Sequence, residues 1–165
     1  MEPQNAREKR DAAVEARVHL IVFRLGEEEY GVRIDQVKEV TITPEITRMP
    51  KTPSFIKGVS NIRGDIIAIM DLEERFNITS AARDSRHTYT LVMEAKDYTM
   101  GFIVKEVPQS LSLPLSSLDK APSFVQDFNI SENFIEGIGK YENRLIIVLD
   151  IFKILTSDEI MELKS

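Results

Sequence analysis

Phe55-Ile56-Lys57-Gly58-Val59-Ser60-Asn61-Ile62-Arg63-Gly64-Asp65-Ile66-Ile67-Ala68-Ile69-Met70-Asp71 decides the fold, because it reads as two short strands about a glycine turn, ended by an acidic residue. The turn falls at Arg63-Gly64-Asp65, where Gly64 supplies a φ above zero at little cost. Asp71-Leu72-Glu73-Glu74 then has the D-x-x-E form of a capping box, with Asp71 accepting from the third helical N–H and Glu74 reaching back, so a short helix to Phe76 is expected. The same unit returns 79 residues later. Phe134-Ile135-Glu136-Gly137-Ile138 repeats Phe55 to Val59, Ile146 stands for Ile67, and Asp150 for Asp71. Further toward the N-terminus, Tyr30-Gly31-Val32 matches Met100-Gly101-Phe102 and Val37 matches Val107 at a spacing of 70. A repeat built of short strands and turns points to two similar antiparallel barrels, closed so that no strand edge is left bare.

The flanking sequence fits that plan. Val18 to Leu25 is an apolar, β-branched strand, Gly26-Glu27-Glu28 a hairpin loop, and Tyr30 to Ile34 the returning strand. Pro44 to Pro53 carries three prolines and reads as a surface loop. Asn77 to His87 is polar and aperiodic, as befits a linker. Met1 to Arg17 alternates acids and bases without an apolar centre, so it reads as a solvated tail rather than a secretion signal. The expected division is a charged flexible tail over 1–17, a first barrel over 18–80, a second over 81–157, and a short C-terminal helix or tail over 158–165. Closure of the second barrel by exchanged or C-terminal elements stays open.

Composition removes several classes of function. The 165 residues are 42% hydrophobic, enough for a real core, and carry a net charge of −6. That sign disfavours nucleic acid and anionic membranes as partners. The apolar runs Ile66 to Met70 and Leu145 to Leu149 have strand length, far short of the roughly 18 to 20 residues that span a bilayer. With no cysteine there is no disulfide or thiolate site, which fits a reducing cytosol. His19 lies in an apolar strand and His87 beside the linker, and neither accompanies a nucleophile motif. Metal-ligand spacings are missing, so neither metal nor cofactor is expected. Gly137-Ile138-Gly139-Lys140 fails the phosphate-loop pattern at Tyr141. Asp71 and Asp150 end strands as phosphoacceptor aspartates do, but capping accounts for them. Glu27, Glu28 and Glu29 read as loop charges that aid solubility. No enzyme is specified. Phe124, in Ala121-Pro122-Ser123-Phe124-Val125, sits on a proline-containing excursion and is a candidate contact residue, since aromatic anchors dominate interface energetics.

Several blocks together resemble the CheW family of chemotaxis coupling proteins. They are Glu29-Tyr30-Gly31-Val32-Arg33-Ile34 with Val37-Lys38-Glu39-Val40, Thr52 to Gly64, Ile69-Met70-Asp71-Leu72, Gly101-Phe102-Ile103-Val104, Phe134 to Lys140, and Arg144 to Asp150. The resemblance covers about residues 18 to 157. It implies an all-β chain of two tandem five-stranded SH3-like barrels with short helices. It also implies a non-enzymatic cytoplasmic adaptor, recruited to receptor arrays at the inner membrane, that couples transmembrane chemoreceptors to the histidine kinase CheA. By resemblance, the first barrel docks on the kinase regulatory domain and the receptor tip lies between the barrels. Residue by residue it implies receptor binding by Val37, Gly58 and Thr90, kinase coupling by Glu39 and Arg63, and a ring contact by Phe124. Glu39 and Arg63 are expected to pair, a carboxylate fixing the planar guanidinium fork. An alternative with the same fold is a regulatory module derived from a chemotaxis kinase; the lack of an ATP-binding region and the start at Met1 favour the coupler.

Overall fold

Period-two alternation of apolar and polar residues sets most of the strands, and glycine or polar pairs end them. The computed structural model describes residues 16–78, 87–94, 99–120 and 134–155. Strands β1 (Arg17–Leu25) and β2 (Glu28–Arg33) form a hairpin. A single 3-10 turn over Ile34–Gln36 leads into β3 (Val37–Ile42). The hairpin β4 (Ile56–Ile62) and β5 (Asp65–Asp71) follows and runs into the one-turn helix α1 (Leu72–Arg75). Beyond it come β6 (Tyr89–Glu94), β7 (Thr99–Val104) and β8 (Gln109–Pro114). A second 3-10 turn, Leu115–Ser117, leads to the two-residue β9 (Leu118–Asp119). The hairpin β10 (Ile135–Tyr141) and β11 (Arg144–Leu149) and the helix α2 (Ile151–Leu155) complete the order.

The strands form two sheets, ordered β3-β6-β7-β5-β4 and β8-β1-β2-β11-β10-β9. Each is closed by one stretch of chain that borders both of its ends. After β3 the chain reaches across to β4, where Thr47 and Val59 exchange N–H···O bonds of 2.8 and 2.9 Å. In the other sheet, β8 passes through its 3-10 turn into β9 and so reaches β10. The all-β, two-barrel architecture is as expected, with five strands in one sheet and six in the other, the sixth being the short β9.

The expected boundary between residues 80 and 81 is not where the barrels divide. By the 70- and 79-residue spacings, β1-β2-β3-β4-β5-α1 corresponds to β6-β7-β8-β10-β11-α2. The repeats exchange their first hairpins. β6 and β7 join the barrel of β3, β4 and β5, while β1 and β2 join that of β8 to β11. Both exchanges use the same pair of contacts: β1 with β8 and β6 with β3 antiparallel, β2 with β11 and β7 with β5 parallel. The first barrel is thus built from β3 to β7, and the second from β1 and β2 together with β8 to β11.

Burial explains why the exchange holds. Val18, Leu20 and Val22 of β1 fill the second barrel with Leu113, Ile146 and Val148. Ile62, Ile67, Ile69, Val92 and Ile103 fill the first. Among the described residues the largest apolar cluster lies between the barrels and includes Phe23, Leu25, Phe55, Met70, Phe102 and Leu149. Each fully buried side chain of this size contributes about 1.5–3 kcal/mol, so the seam carries more of the stability than either interior. β6 and β7 are buried on both faces because they separate one barrel's interior from that seam.

The two seam helices are anchored alike. Phe55 O accepts from Asp71 N at 2.8 Å, and its repeat counterpart Phe134 O accepts from Asp150 N at 2.7 Å. Asp71 Oδ1 caps α1 by accepting from the N–H groups of Glu73 (2.9 Å) and Glu74 (3.3 Å). The reciprocal half of the expected capping box is not made. Glu74 turns its carboxylate to Lys57 instead, an ion pair across the strand-helix junction. Burial pushes the Asp71 carboxyl up from its ordinary range, against the opposing pull of the Glu74 N–H and Lys105. Arg75 stacks its guanidinium over Phe55 at 5.1 Å and over Phe134 at 5.2 Å, bridging the repeat-related rings of the two barrels.

Candidate protein-interaction site

The β4–β5 turn is a two-residue turn over Arg63 and Gly64, with φ of 52° and 90°. Both central residues are left-handed, the pattern whose twist matches a hairpin, and Asn61 Oδ1 accepts from Gly64 N at 2.9 Å to fix it. Arg63 is thereby thrown out to solvent, its side chain 81% exposed, while Glu39 on β3 is only 18% exposed. The two pair as expected: Arg63 Nε donates to Glu39 Oε2 at 2.8 Å. The contact uses one N–H and one oxygen, so it orients the guanidinium without occupying its fork.

The strands that carry this pair also expose side chains that elsewhere would be core. Alternation on β3 turns Val40 and Ile42 outward, 41% and 62% exposed, and Ile66 beside the turn is 68% exposed. The sequence names Ile66 only as part of an apolar run; that it faces water becomes visible once Ile67 is known to fill the barrel. Large exposed aliphatic groups are the kind of side chain a protein-binding surface uses.

The residues expected to bind a receptor do not converge on one exposed patch. Val37, at the start of β3, is half-buried and packs against the seam core. Gly58 is buried, with φ of 143°, and a Cβ there would lie 2.1 Å from Thr47 O. It is the glycine that lets the Thr47 backbone approach β4 and close the first barrel. Thr90 is 0% exposed, opposite Thr41 on the β3–β6 ladder, and its hydroxyl shares a 2.8 Å hydrogen bond with Thr43. Thr90 and Gly58 are thus buried positions of the first barrel, the one held by the Thr43 hydroxyl and the other against the Thr47 backbone. Phe124 lies outside the described residues. His19 is exposed on β1 opposite Ser112, and His87 is exposed ahead of β6, in the other barrel.

The second barrel carries ion pairs that composition alone did not single out. Glu29 sits inside β2 rather than in the hairpin loop, and Arg144 of β11 grips it through two bonds of 2.9 and 2.6 Å. That fork holds the Glu29 carboxyl below its usual range, burial opposing, and raises Arg144 in turn. Arg33, at the end of β2, bonds Glu136 of β10 through Nε at 2.7 Å, and the bond raises its pKa. Both pairs tie the exchanged hairpin to strands of the other repeat. Their signal in the sequence is their place on strand ends, but without the exchange no partner could be named.

Residues 19–159 match the family model described as CheW-like domain. The chain is 35% identical over 139 residues to the chemotaxis protein CheW of Klebsiella aerogenes, covering 84% of this chain and 82% of that one. It is 28% identical over 155 residues to the chemotaxis protein CheW of Treponema pallidum, covering 92% and 90%. The crystal structure of the scaffolding protein TtCheW from Thermoanaerobacter tengcongensis superimposes with a TM-score of 0.75 at 31% identity, covering 86% of this chain and 90% of that one.

Proposed function

Because this chain belongs to the CheW-like domain family, we propose that it is a non-enzymatic adaptor coupling transmembrane chemoreceptors to the histidine kinase CheA in chemotaxis signalling. The observation that supports this reading is the solvent-exposed Arg63, oriented by Glu39, on a first barrel that also exposes Val40, Ile42 and Ile66. A surface pair of this kind adds only about 0–1 kcal/mol to stability. Its use is therefore recognition: the apolar rim supplies area and Arg63 supplies direction for the kinase regulatory domain. The adaptor works in the cytoplasm and is drawn to receptor arrays by its partners.

For the receptor, Val37 supplies a partly exposed apolar contact, while Gly58 and Thr90 act by shaping the barrel beneath it. Phe124, by the family resemblance, is assigned to contacts between neighbouring assemblies. An adaptor transmits a signal only if it binds the kinase-on and kinase-off arrangements with different free energies, so these surfaces must differ in fit between the two states.

Retention on immobilised CheA regulatory domain from the same genome tests the proposal. Wild type is retained, and Arg63→Glu is lost while keeping the wild-type circular dichroism spectrum and urea midpoint. If Glu39→Arg and Arg63→Glu each abolish retention and the double exchange restores none of it, pairing is not what organises the surface. A folded wild-type chain that the kinase domain does not retain would overturn the coupling role.

A further inference from the structure

The internal repeat gives the surface assigned to the kinase a counterpart on the second barrel. By the 70- and 79-residue spacings, β3 corresponds to β8 and the β4–β5 hairpin to β10–β11, and the pairing registers agree residue for residue. Val40, Thr41 and Ile42 stand opposite Leu91, Thr90 and Tyr89, while their counterparts Ser110, Leu111 and Ser112 stand opposite Ile21, Leu20 and His19. The two hairpins also share one register, down to the shift that precedes Gly58 and Gly137. Each barrel therefore presents the same backbone at this place.

The side chains laid on that backbone differ. Arg63 is replaced by Glu142, which takes the same left-handed conformation, with φ of 54° against 52°. Glu39, which orients Arg63, is replaced by Gln109, and Val40 and Ile42 by Ser110 and Ser112. Leu145, 60% exposed, keeps the character of its counterpart Ile66. The second hairpin does hold a cation, Arg144, but its Nε and Nη2 bond Glu29. Glu142 is exposed and makes no ion pair or side-chain hydrogen bond among the described residues. The second barrel thus builds the same hairpin and strand without an arginine at the tip or exposed aliphatic groups on the strand, so the fold does not require them. What separates the two tips is the sign of the charge they show to a partner.

Resting on the adaptor role given above, we propose that Glu142 is a specificity-determining residue: it bars the kinase regulatory domain from the second barrel's copy of the docking face, so that each chain takes one kinase domain, on its first barrel. Glu39 occupies one N–H of Arg63, and the rest of the guanidinium fork is left to a carboxylate on the kinase domain. The same carboxylate brought to the second barrel meets a like charge at Glu142. Two faces of one backbone shape cannot be told apart by shape, so discrimination between them needs a repulsive group on the wrong one.

The test counts kinase regulatory domains bound per full chain, by titration calorimetry and sedimentation equilibrium. Wild type is expected to bind one, and Arg63→Glu none. Adding Glu142→Arg, Gln109→Glu and Ser110→Val to Arg63→Glu rebuilds the face on the second barrel and should tighten binding about tenfold or more over Arg63→Glu alone, with Glu142→Arg by itself regaining part of this. Ser112 is left in place because its hydroxyl accepts from Arg17 Nε at 2.7 Å. In the wild-type background the same three substitutions should raise the count from one toward two. All three positions are exposed, so the urea midpoint should hold and a lost fold cannot pass for lost recognition. The inference is overturned if the folded, rebuilt chain and the single Glu142→Arg addition bind no better than Arg63→Glu, or if wild type already takes two kinase domains. It is also overturned if Glu142→Arg weakens wild-type binding, which would make Glu142 a contact in its own right. Wild type that binds no kinase domain overturns the adaptor role itself.

Discussion

Glu73 is a carboxylate in α1, its side chain only 9% exposed, that belongs to the first barrel yet holds the hairpin of the second. Its Oε2 accepts from Gly26 N, at the tip of the β1–β2 hairpin, at 2.7 Å, and its Oε1 lies 2.8 Å from Lys105 Nζ just beyond β7. In Glu73→Ala the Gly26 N–H loses a charged acceptor in a buried site, worth about 1.5–3 kcal/mol. Lys105 is 32% exposed, so its ammonium regains water, and its share is nearer the 0–1 kcal/mol of a surface pair. The expected loss is about 3 kcal/mol for alanine. Glutamine keeps an acceptor for Gly26 and should lose about 1 kcal/mol. For a chain of this length, the alanine variant should melt roughly 6–12 °C lower.

Urea unfolding followed by circular dichroism measures this directly: the midpoint should fall in the order wild type, Gln, Ala, with the slope unchanged. Amide exchange adds a local readout, since the Gly26 N–H should lose protection first. Lys105→Met in the Glu73→Ala background should recover part of the loss, because it removes the cation left behind. The reasoning fails if Glu73→Ala unfolds within about 0.5 kcal/mol of wild type, or if glutamine is as damaging as alanine.

Gly58→Ala should cost more than about 3 kcal/mol or prevent folding, because its Cβ would stand 2.1 Å from Thr47 O at a φ of 143°; a wild-type urea midpoint would mean the barrel is not closed there. Burial pushes the Tyr30 phenol up to about 12 from 10, with Glu28 adding to the shift. Its stabilisation is therefore full below about pH 10 and is lost between 10 and 12 as the unfolded chain ionises, a change of about 3 kcal/mol that Tyr30→Phe should abolish in an alkaline titration of stability. Glu29 runs the other way, since its folded pKa is lowered below 4.5. Its contribution is present above that value and is lost as the pH falls below it, so Glu29→Gln should flatten the acid limb measured by urea midpoint. Thr90→Val should cost about 1 kcal/mol through the Thr43 hydroxyl it leaves behind and should leave receptor-fragment affinity unchanged, whereas a tenfold loss of affinity in a stable variant would restore Thr90 as a contact.

Strand positions, the glycine turn and the capping role of Asp71 were legible because each is a local event, set by alternation, by a φ above zero or by an oxygen near free N–H groups. Pairing between repeats was not. A duplication offers β1 two near-identical partners, β3 and β8, and the choice is made by the seam core assembled from both halves. The same ambiguity hid Arg144 as the partner of Glu29, which local composition presents as one acid among three. Glu39 and Arg63 were found through the family resemblance, and their geometry follows from the left-handed turn that ends β4. The face of Thr90 was not legible, because a threonine on a strand suits either side; only the Thr41 register and the hydroxyl of Thr43 turn it inward.

The exchange of hairpins also bears on how such an adaptor could pass on a signal. If each repeat folded on itself, the barrels would be joined by one linker and could tilt freely, and a partner on one would be blind to a partner on the other. Here β2 pairs with β11 while its continuation through Ile34–Gln36 becomes β3 of the other barrel, and β5 pairs with β7 of the opposite repeat. Separating the barrels would expose the largest apolar cluster in the molecule and break the Glu73–Gly26 tie, a cost far above the few kcal/mol available from differential binding. Partner binding therefore acts on the barrels as one body. Any signal such an adaptor passes between two partners must then come from how that one body is oriented by both of them at once.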